Sequence, residues 1–278
     1  MNRYHLLFQR LQQRQQGAFI PFVTLGDPNP ELSLTIIDTL VRAGADGLEL
    51  GLPFSDPVAD GATIQAANIR ALASGTTRQQ ALAIVQTIRA RYPDLPIGLL
   101  VYANITLTPN LDAFYQQCAV AGVDSVLIAD VPVRSAQPFI VAAQRASIAP
   151  VLIAPPDAST ATLTDIARCS EGYVYLLSRA GVTGAEQAMA APTAQTIAQL
   201  QAVRSAPPLL GFGISTPTQV KSALAAGAAG VIVGSAVVDL IAAHYHDQQL
   251  LVAELTHFVQ TMKQATNNHV MPLPLTQI

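Results

Sequence analysis

Short runs in which nearly every position is apolar take turns along the chain with longer stretches of mixed apolar and polar residues. Eight such runs, at 19–24, 47–51, 96–102, 125–130, 150–154, 173–178, 209–213 and 230–234, are of strand length. Their hydrophobicity is continuous rather than alternating, which predicts strands covered on both faces. The intervening stretches at 31–42, 78–91, 111–121, 194–204 and 217–226 are long enough for helices. Strand and helix in alternation predict parallel strands with right-handed crossovers, and eight units in about 215 residues fit a closed (β/α)8 TIM barrel. No Pro/Ser-rich linker interrupts the pattern, so one domain is expected.

An internal repeat supports this reading. The segments 43–50 (AGADGLEL), 121–128 (AGVDSVLI) and 226–233 (AGAAGVIV) share a helix end, a glycine suited to a left-handed cap, and a strand. In this phase Glu49, Leu127 and Ile232 are equivalent, and Leu48, Leu50, Val126 and Val231 point the other way. Small residues at 47, 51, 129 and 234 flank the first set, which fits a crowded barrel interior, so Glu49 is expected to point inward. Asp46 and Asp124 fall at strand starts, on the face of a barrel that serves stability. Before the first strand, Leu6, Leu7, Phe8 and Leu11 recur on one side of a helical projection. They predict a capping helix that packs onto the fold, in preference to a cleaved leader built around Arg3, Arg10 and Arg14.

Composition narrows the function classes. Half the residues are hydrophobic and 12% are charged, against a usual charged fraction of about 25%, which excludes a disordered chain. The net charge of -3 comes with no basic run, so there is no footprint for a nucleic-acid backbone. The longest uncharged apolar stretch, 223–238, falls short of the roughly 20 residues of a membrane span. Cys118 and Cys169 have neither metal-site nor redox spacing and fit a reducing compartment.

In a barrel of this kind, chemistry sits at the C-terminal strand ends and the loops after them. Lys221 and Lys263 both lie in helices, leaving no Schiff-base lysine at a strand end. His5, His244, His246, His257 and His269 fall in terminal helices or the tail, and no metal site is expected. Carboxylates remain. Glu49, inside an apolar strand, would be pushed by burial toward holding a proton at neutral pH, as a general acid requires; pairing with an arginine is the plainer alternative. The following loop brings Asp56 and Asp60 over the mouth, and the residues alone leave Asp60 open between a turn or helix cap and a functional role. Glycine-bearing loops at 178–184, 211–215 and 234–235 end at helix starts, where backbone N–H groups can cradle a phosphate.

The run LELGLPFSDPVADG at 48–61 resembles the signature of the tryptophan synthase α subunit family, and the likeness extends over 1–265, which implies a barrel domain over 1–265 and leaves 266–278, unlike the family, as an expected disordered C-terminal tail. LSRAGVTG at 177–184 is similar to that family's mobile loop, and GFGIS at 211–215 with Gly234 and Ser235 to its phosphate site. The resemblance implies a lyase of tryptophan biosynthesis that cleaves indole-3-glycerol phosphate to indole and glyceraldehyde 3-phosphate. It implies Glu49 as proton donor and Asp60 as the ionised group facing the indole N–H. It further implies a pocket of Phe22, Leu100, Leu127, Ala129, Tyr175, Phe212 and Ile232, and phosphate contacts from Gly184, Gly213, Gly234 and Ser235. Thr183 would clamp Asp60 when the mouth closes, and Asp60, on a loop, would be poorly held until a partner packs against it. The implied setting is a cytoplasmic αββα heterotetramer in which pyridoxal phosphate belongs to the β subunit and this chain carries no cofactor. Ala180 and Ala154 depart from the family pattern. A stand-alone lyase and a non-catalytic barrel kept as an allosteric partner are the rival readings.

Overall fold

The computed structural model describes residues 2–178 and 192–269. Its strand segments are β1 (Ala18–Thr24), β2 (Leu48–Gly51), β3 (Ile97–Val101), β4 (Ser125–Ile128), β5 (Ala149–Val151), β6 (Ile153–Ala154), β7 (Val174–Leu177), β8 (Pro208–Gly211) and β9 (Gly230–Val233). The helices are α1 (Arg3–Gln13), α2 (Pro30–Ala43), α3 (Ala62–Ala73), α4 (Arg78–Arg91), α5 (Ala103–Thr106), α6 (Leu111–Ala121), α7 (Gln137–Arg145), α8 (Thr160–Cys169), α9 (Pro192–Ala202), α10 (Pro217–Ala225), α11 (Ser235–His244) and α12 (Gln248–Gln264).

Every strand pairing is parallel, in the order β5-β4-β3-β2-β1-β9-β8-β7-β6. The two ends of that order, β5 and β6, are consecutive in the chain and separated by Leu152 alone. They are two halves of one barrel strand: the first pairs with β4, the second with β7, and the ring closes through them. The run 150–154 expected as one strand is thus broken at its middle, because it must leave one neighbour and join the other. The eight expected strands and the five expected helices otherwise appear in place, giving the TIM barrel with its capping helix.

Two apolar layers result. Leu48, Leu50, Val126 and Val231 pack outward against the helices, while Phe22, Leu127, Tyr173, Tyr175 and Ile232 fill the barrel interior. The register places Phe22 beside Glu49 and Glu49 beside Gly98, so the repeat's inward set is inward. Gly44 and Gly122 are left-handed helix caps, with φ of 118° and 85°.

At the strand starts, Asp46 accepts from the Phe19 N–H and from Lys263 Nζ at 2.7 Å. Asp124 takes Arg3, Arg89 and the Ile97 N–H. These carboxylates fasten α1, α4 and α12 to the bottom of the ring. Helix α1 covers that end with Tyr4, Leu7, Phe8 and Leu11. The expectation differs by one residue: Leu6 is 44% exposed, and Tyr4, outside the expected set, is the buried member. Residues 266–269, expected within the tail, are tied to the fold. Thr266 is buried, its carbonyl accepts from the Gly17 N–H, Asn267 bridges Gln16, and the His269 N–H bonds to the Gln15 carbonyl at 2.7 Å. Residues 270–278 lie outside the described residues.

Candidate active site

At the C-terminal strand ends lies a cavity of about 400 Å³. Its walls are apolar, with Phe22 from β1, Leu100 from β3, Tyr175 from β7 and Ile232 from β9, and Phe212 closing one side. Tyr175 and Phe212 meet edge to face, their centroids 6.5 Å apart. Such a slot suits a flat aromatic body, and only a few polar groups reach it.

Glu49 is 1% exposed and sits beneath this cavity rather than on its wall. Its Oε2 accepts the Tyr173 hydroxyl, while Oε1 has no hydrogen-bond partner. A Cβ placed on Gly98 would lie 2.8 Å from Ser125 Oγ, 2.9 Å from Glu49 Oε2 and 3.1 Å from the Tyr4 hydroxyl. The missing side chain therefore makes the space in which these groups converge. The Tyr4 hydroxyl and Ser125 Oγ are in turn hydrogen-bonded at 2.8 Å. Burial pushes the Glu49 carboxyl up to about 7, and the Tyr173 hydrogen bond opposes the shift without cancelling it. Among the described residues no arginine pairs with Glu49, and its hydrogen-bond partner is Tyr173.

Asp60 lines the rim of the cavity and is 8% exposed. The Tyr102 hydroxyl donates to its carboxylate and accepts from the Ala59 N–H at 3.1 Å. Asn68 Nδ2 on α3 lies 3.4 Å from its Oδ2. Burial raises Asp60 to about 6, and the hydrogen bonds from Tyr102 and Asn68, which favour the ionised form, oppose the shift. The expectation that Asp60 is poorly held without a partner is corrected here: two side chains from the barrel and α3 already hold it. Asp56 is exposed and does not line the cavity.

At the cavity's other end stand Gly213, Gly234 and Ser235. Gly234 is the residue preceding α11, and no side chain caps that helix, so its first N–H groups and the positive end of its dipole face the cavity. Phe212 and Gly213 are both left-handed, at φ 67° and 71°, which turns the chain sharply beneath the same spot.

Of the residues singled out from the sequence, Asp60, Phe22, Leu100, Ala129, Tyr175, Phe212, Gly213, Ile232, Gly234 and Ser235 line this one cavity. Leu127 is buried in the barrel interior below it. Thr183 and Gly184, with Ala180, lie outside the described residues. Sequence reasoning missed Tyr173 and Tyr102, although strand alternation points to both: Tyr173 shares a side with Tyr175, and Tyr102 with Leu100. It also missed Asn68, for which no pattern in the sequence offers a signal. Among the described residues, no three His, Cys, Asp or Glu side chains cluster as metal ligands.

A family model described as tryptophan synthase alpha chain matches residues 8–267. The tryptophan synthase alpha chain of Shewanella oneidensis is 58% identical over 265 residues, 95% of each chain. That of Vibrio cholerae is 58% identical over 266 residues, 96% of this chain and 99% of the other. Among solved structures, tryptophan synthase subunit alpha from Legionella pneumophila superposes with a TM-score of 0.86 at 30% identity, covering 96% of this chain and 98% of its own. A chain of Mycobacterium tuberculosis tryptophan synthase matches with a TM-score of 0.86 at 26% identity, over 96% and 98%.

Proposed function

The chain belongs to the tryptophan synthase alpha chain family, and from that premise we propose how its cavity carries out the family's reaction. The chain is a carbon–carbon lyase of tryptophan biosynthesis that cleaves indole-3-glycerol phosphate to indole and glyceraldehyde 3-phosphate. The indole body takes the apolar slot between Phe22, Leu100, Tyr175, Phe212 and Ile232. The phosphate takes the uncapped start of α11, where Gly213, Gly234 and Ser235 present backbone N–H groups. Gly184 and Thr183 would complete the site from the loop after β7.

Glu49 donates its proton to C3 of the indole, which makes the ring an iminium-like electron sink. The carboxylate so formed takes the proton of the side-chain hydroxyl, the C–C bond breaks, its electron pair restores the indole, and the carbonyl of the aldehyde forms. Atoms balance and Glu49 is protonated again. Asp60, ionised, stabilises the positive charge that develops at the indole nitrogen. Because Glu49 bonds downward to Tyr173, its carboxyl must turn up through the cavity floor to reach C3. The observation that carries this reading is the pair of carboxyls at one apolar cavity, Glu49 fully buried beneath it and Asp60 hydrogen-bonded at its rim, both pushed up by burial, to about 7 and about 6.

The reading extends to a β subunit that receives the indole, in an αββα heterotetramer where pyridoxal phosphate is bound by β and not by this chain. Cytoplasmic residence follows from that pathway. Among the described residues, no helix is long and apolar enough to cross a membrane. The test is indole release from indole-3-glycerol phosphate. Glu49→Gln is expected to lose about 10²- to 10⁴-fold in kcat and Asp60→Asn to lose kcat more than affinity. Retention of more than a tenth of the kcat by Glu49→Gln would remove Glu49 from its role.

A further inference from the structure

Asn68 lies in the middle of α3 and is 5% exposed. Asn is among the poorer helix formers, and a buried primary amide must find partners for its carbonyl and both N–H groups. One partner is local, since Nδ2 donates to the Ile64 carbonyl one turn back at 3.0 Å. The other two leave the helix. Oδ1 accepts from the Phe54 N–H at 3.0 Å, and Nδ2 points at Asp60 Oδ2 at 3.4 Å. Phe54 and Asp60 are the two ends of one loop, and a single side chain grips both.

The loop itself is poorly suited to hold its own shape. Its internal backbone bonds are Val58 N–H to the Asp56 carbonyl and Asp60 N–H to the Pro57 carbonyl, joined by an exposed bond from the Ser55 hydroxyl to the Asp56 carboxylate, and Val58 stands 73% exposed. Three contacts anchor it to the barrel: Phe54 stacks on Tyr102 at 5.4 Å, the Ala59 N–H bonds to the Tyr102 hydroxyl, and Gln65 Nε2 bonds to the Asp60 carbonyl oxygen. Tyr102 meets both ends from the barrel side, Phe54 through its ring and Ala59 with Asp60 through its hydroxyl; Gln65 holds the exit end, and Asn68 ties entry to exit from the side of α3.

We propose that Asn68 is a positioning residue for the cleavage reaction, clamping the loop 54–60 from α3 so that the Asp60 carboxylate stays at the rim of the cavity. The proposal rests on Asp60 being the carboxylate that faces the indole N–H. Asn68 does not line the cavity, and its effect passes through Asp60. The charged and titratable groups that face Asp60 are the Tyr102 hydroxyl at the end of β3 and Tyr175 of β7, whose ring senses the charges of both Glu49 and Asp60. Removing the Asn68 donor leaves Asp60 with the Tyr102 hydrogen bond and a costlier negative charge.

Asn68→Ala, Asn68→Asp, Asp60→Asn and the double variant Asn68→Ala/Asp60→Asn test this, with kcat and KM for indole-3-glycerol phosphate measured across pH. A misplacement of about 1 Å at a reacting group can cost 10²-fold, so Asn68→Ala is expected to lower kcat about 10- to 100-fold with KM changed less than about threefold. Its acid limb should move to higher pH. Asn68→Asp keeps the acceptor for Phe54 but sets a second carboxylate against Asp60, so its acid limb should move further; it carries the test if the alanine variant does not fold. In the Asp60→Asn background, adding Asn68→Ala should cost less than about twofold, because the two act as one unit. Unchanged kcat and acid limb in both Asn68 variants, with Asp60→Asn still impaired, would overturn the proposal and leave the role of Asp60 standing. An equal loss from Asn68→Ala in both backgrounds would make Asn68 structural. Full activity in Asp60→Asn would remove the underlying reading itself.

Discussion

Glu49 keeps a proton because charge is expensive where it sits, and that expense has two measurable consequences. The first is kinetic. The acid must be protonated and Asp60 ionised, so kcat should fall as pH drops below about 6, where Asp60 takes up a proton, and fall again as pH rises above about 7, where Glu49 loses one. A pH profile of kcat flat from 5 to 9 would contradict both roles. The second is thermodynamic. The unfolded chain releases the Glu49 proton near 4.5 and the folded chain near 7, so the folded state binds more protons between those values. Stability from this group is complete below 4.5 and is lost as pH rises through 7, on the order of 3 kcal/mol. Glu49→Gln has no such loss and can still accept from Tyr173. Denaturant titrations should show its stability relative to wild type improving from pH 4.5 to pH 8.5, and a difference independent of pH would sink the idea. At this scale the sequence announces Glu49, a lone acid in an apolar strand, but not Tyr173 or Asn68. Tyr173 depends on a partner 124 positions away that only the closed ring brings near, and Asn68 on how the loop before α3 folds back onto that helix, 8 positions from Asp60.

Elements carry the phosphate end. Gly234 is not strained, with φ at -106°, and a Cβ there would meet Phe22 at 3.5 Å, an ordinary contact. Alanine should be accommodated, whereas the carboxylate of Gly234→Asp would sit at the start of α11 where the phosphate belongs and repel it. Isothermal titration with glycerol phosphate should show Gly234→Ala close to wild type and Gly234→Asp without detectable binding; equal binding by both would move the phosphate site elsewhere. Element positions were mostly legible from hydrophobic runs because both strand faces are buried. Two details escaped for physical reasons. The fifth strand breaks at Leu152 because ring closure demands a change of neighbour there. Tyr4, polar by type, is buried in place of Leu6 because its hydroxyl finds Ser125 inside the barrel and its ring packs 5.3 Å from Tyr173.

On the whole-molecule scale, the mouth of the barrel presents Val58 and Leu107 to solvent at 73% and 51% exposure, on the loops after β2 and β3 that hold Asp60. A β subunit seated on this face would bury them and favour the closed form of the mouth. Turnover of the chain alone should therefore be well below turnover with a saturating β subunit. Occupancy of one active site should change affinity at the other by about 1–3 kcal/mol. Equal rates with and without β would favour the stand-alone lyase. Because Asp60 is already tethered by Tyr102 and Asn68, the partner's contribution should show mainly in the loop after β7, so Thr183→Val should reduce the activation more than the activity of the chain alone.

The pairing of β1 with β9 joins positions 18–21 to 230–233, and that weld sets the order in which the chain can become safe during synthesis. Until residue 233 has left the ribosome, the first strand, every residue of it buried in the finished protein, has one neighbour and an open hydrogen-bonding edge. Such an edge is a template for a second nascent chain. Parallel pairing over more than two hundred positions is also slow to find. The lysine, threonine and asparagine that fasten 263–267 to the bottom of the ring leave the ribosome later still, so the closure that shelters the lyase from aggregation waits until β9 and the helices after it have been made.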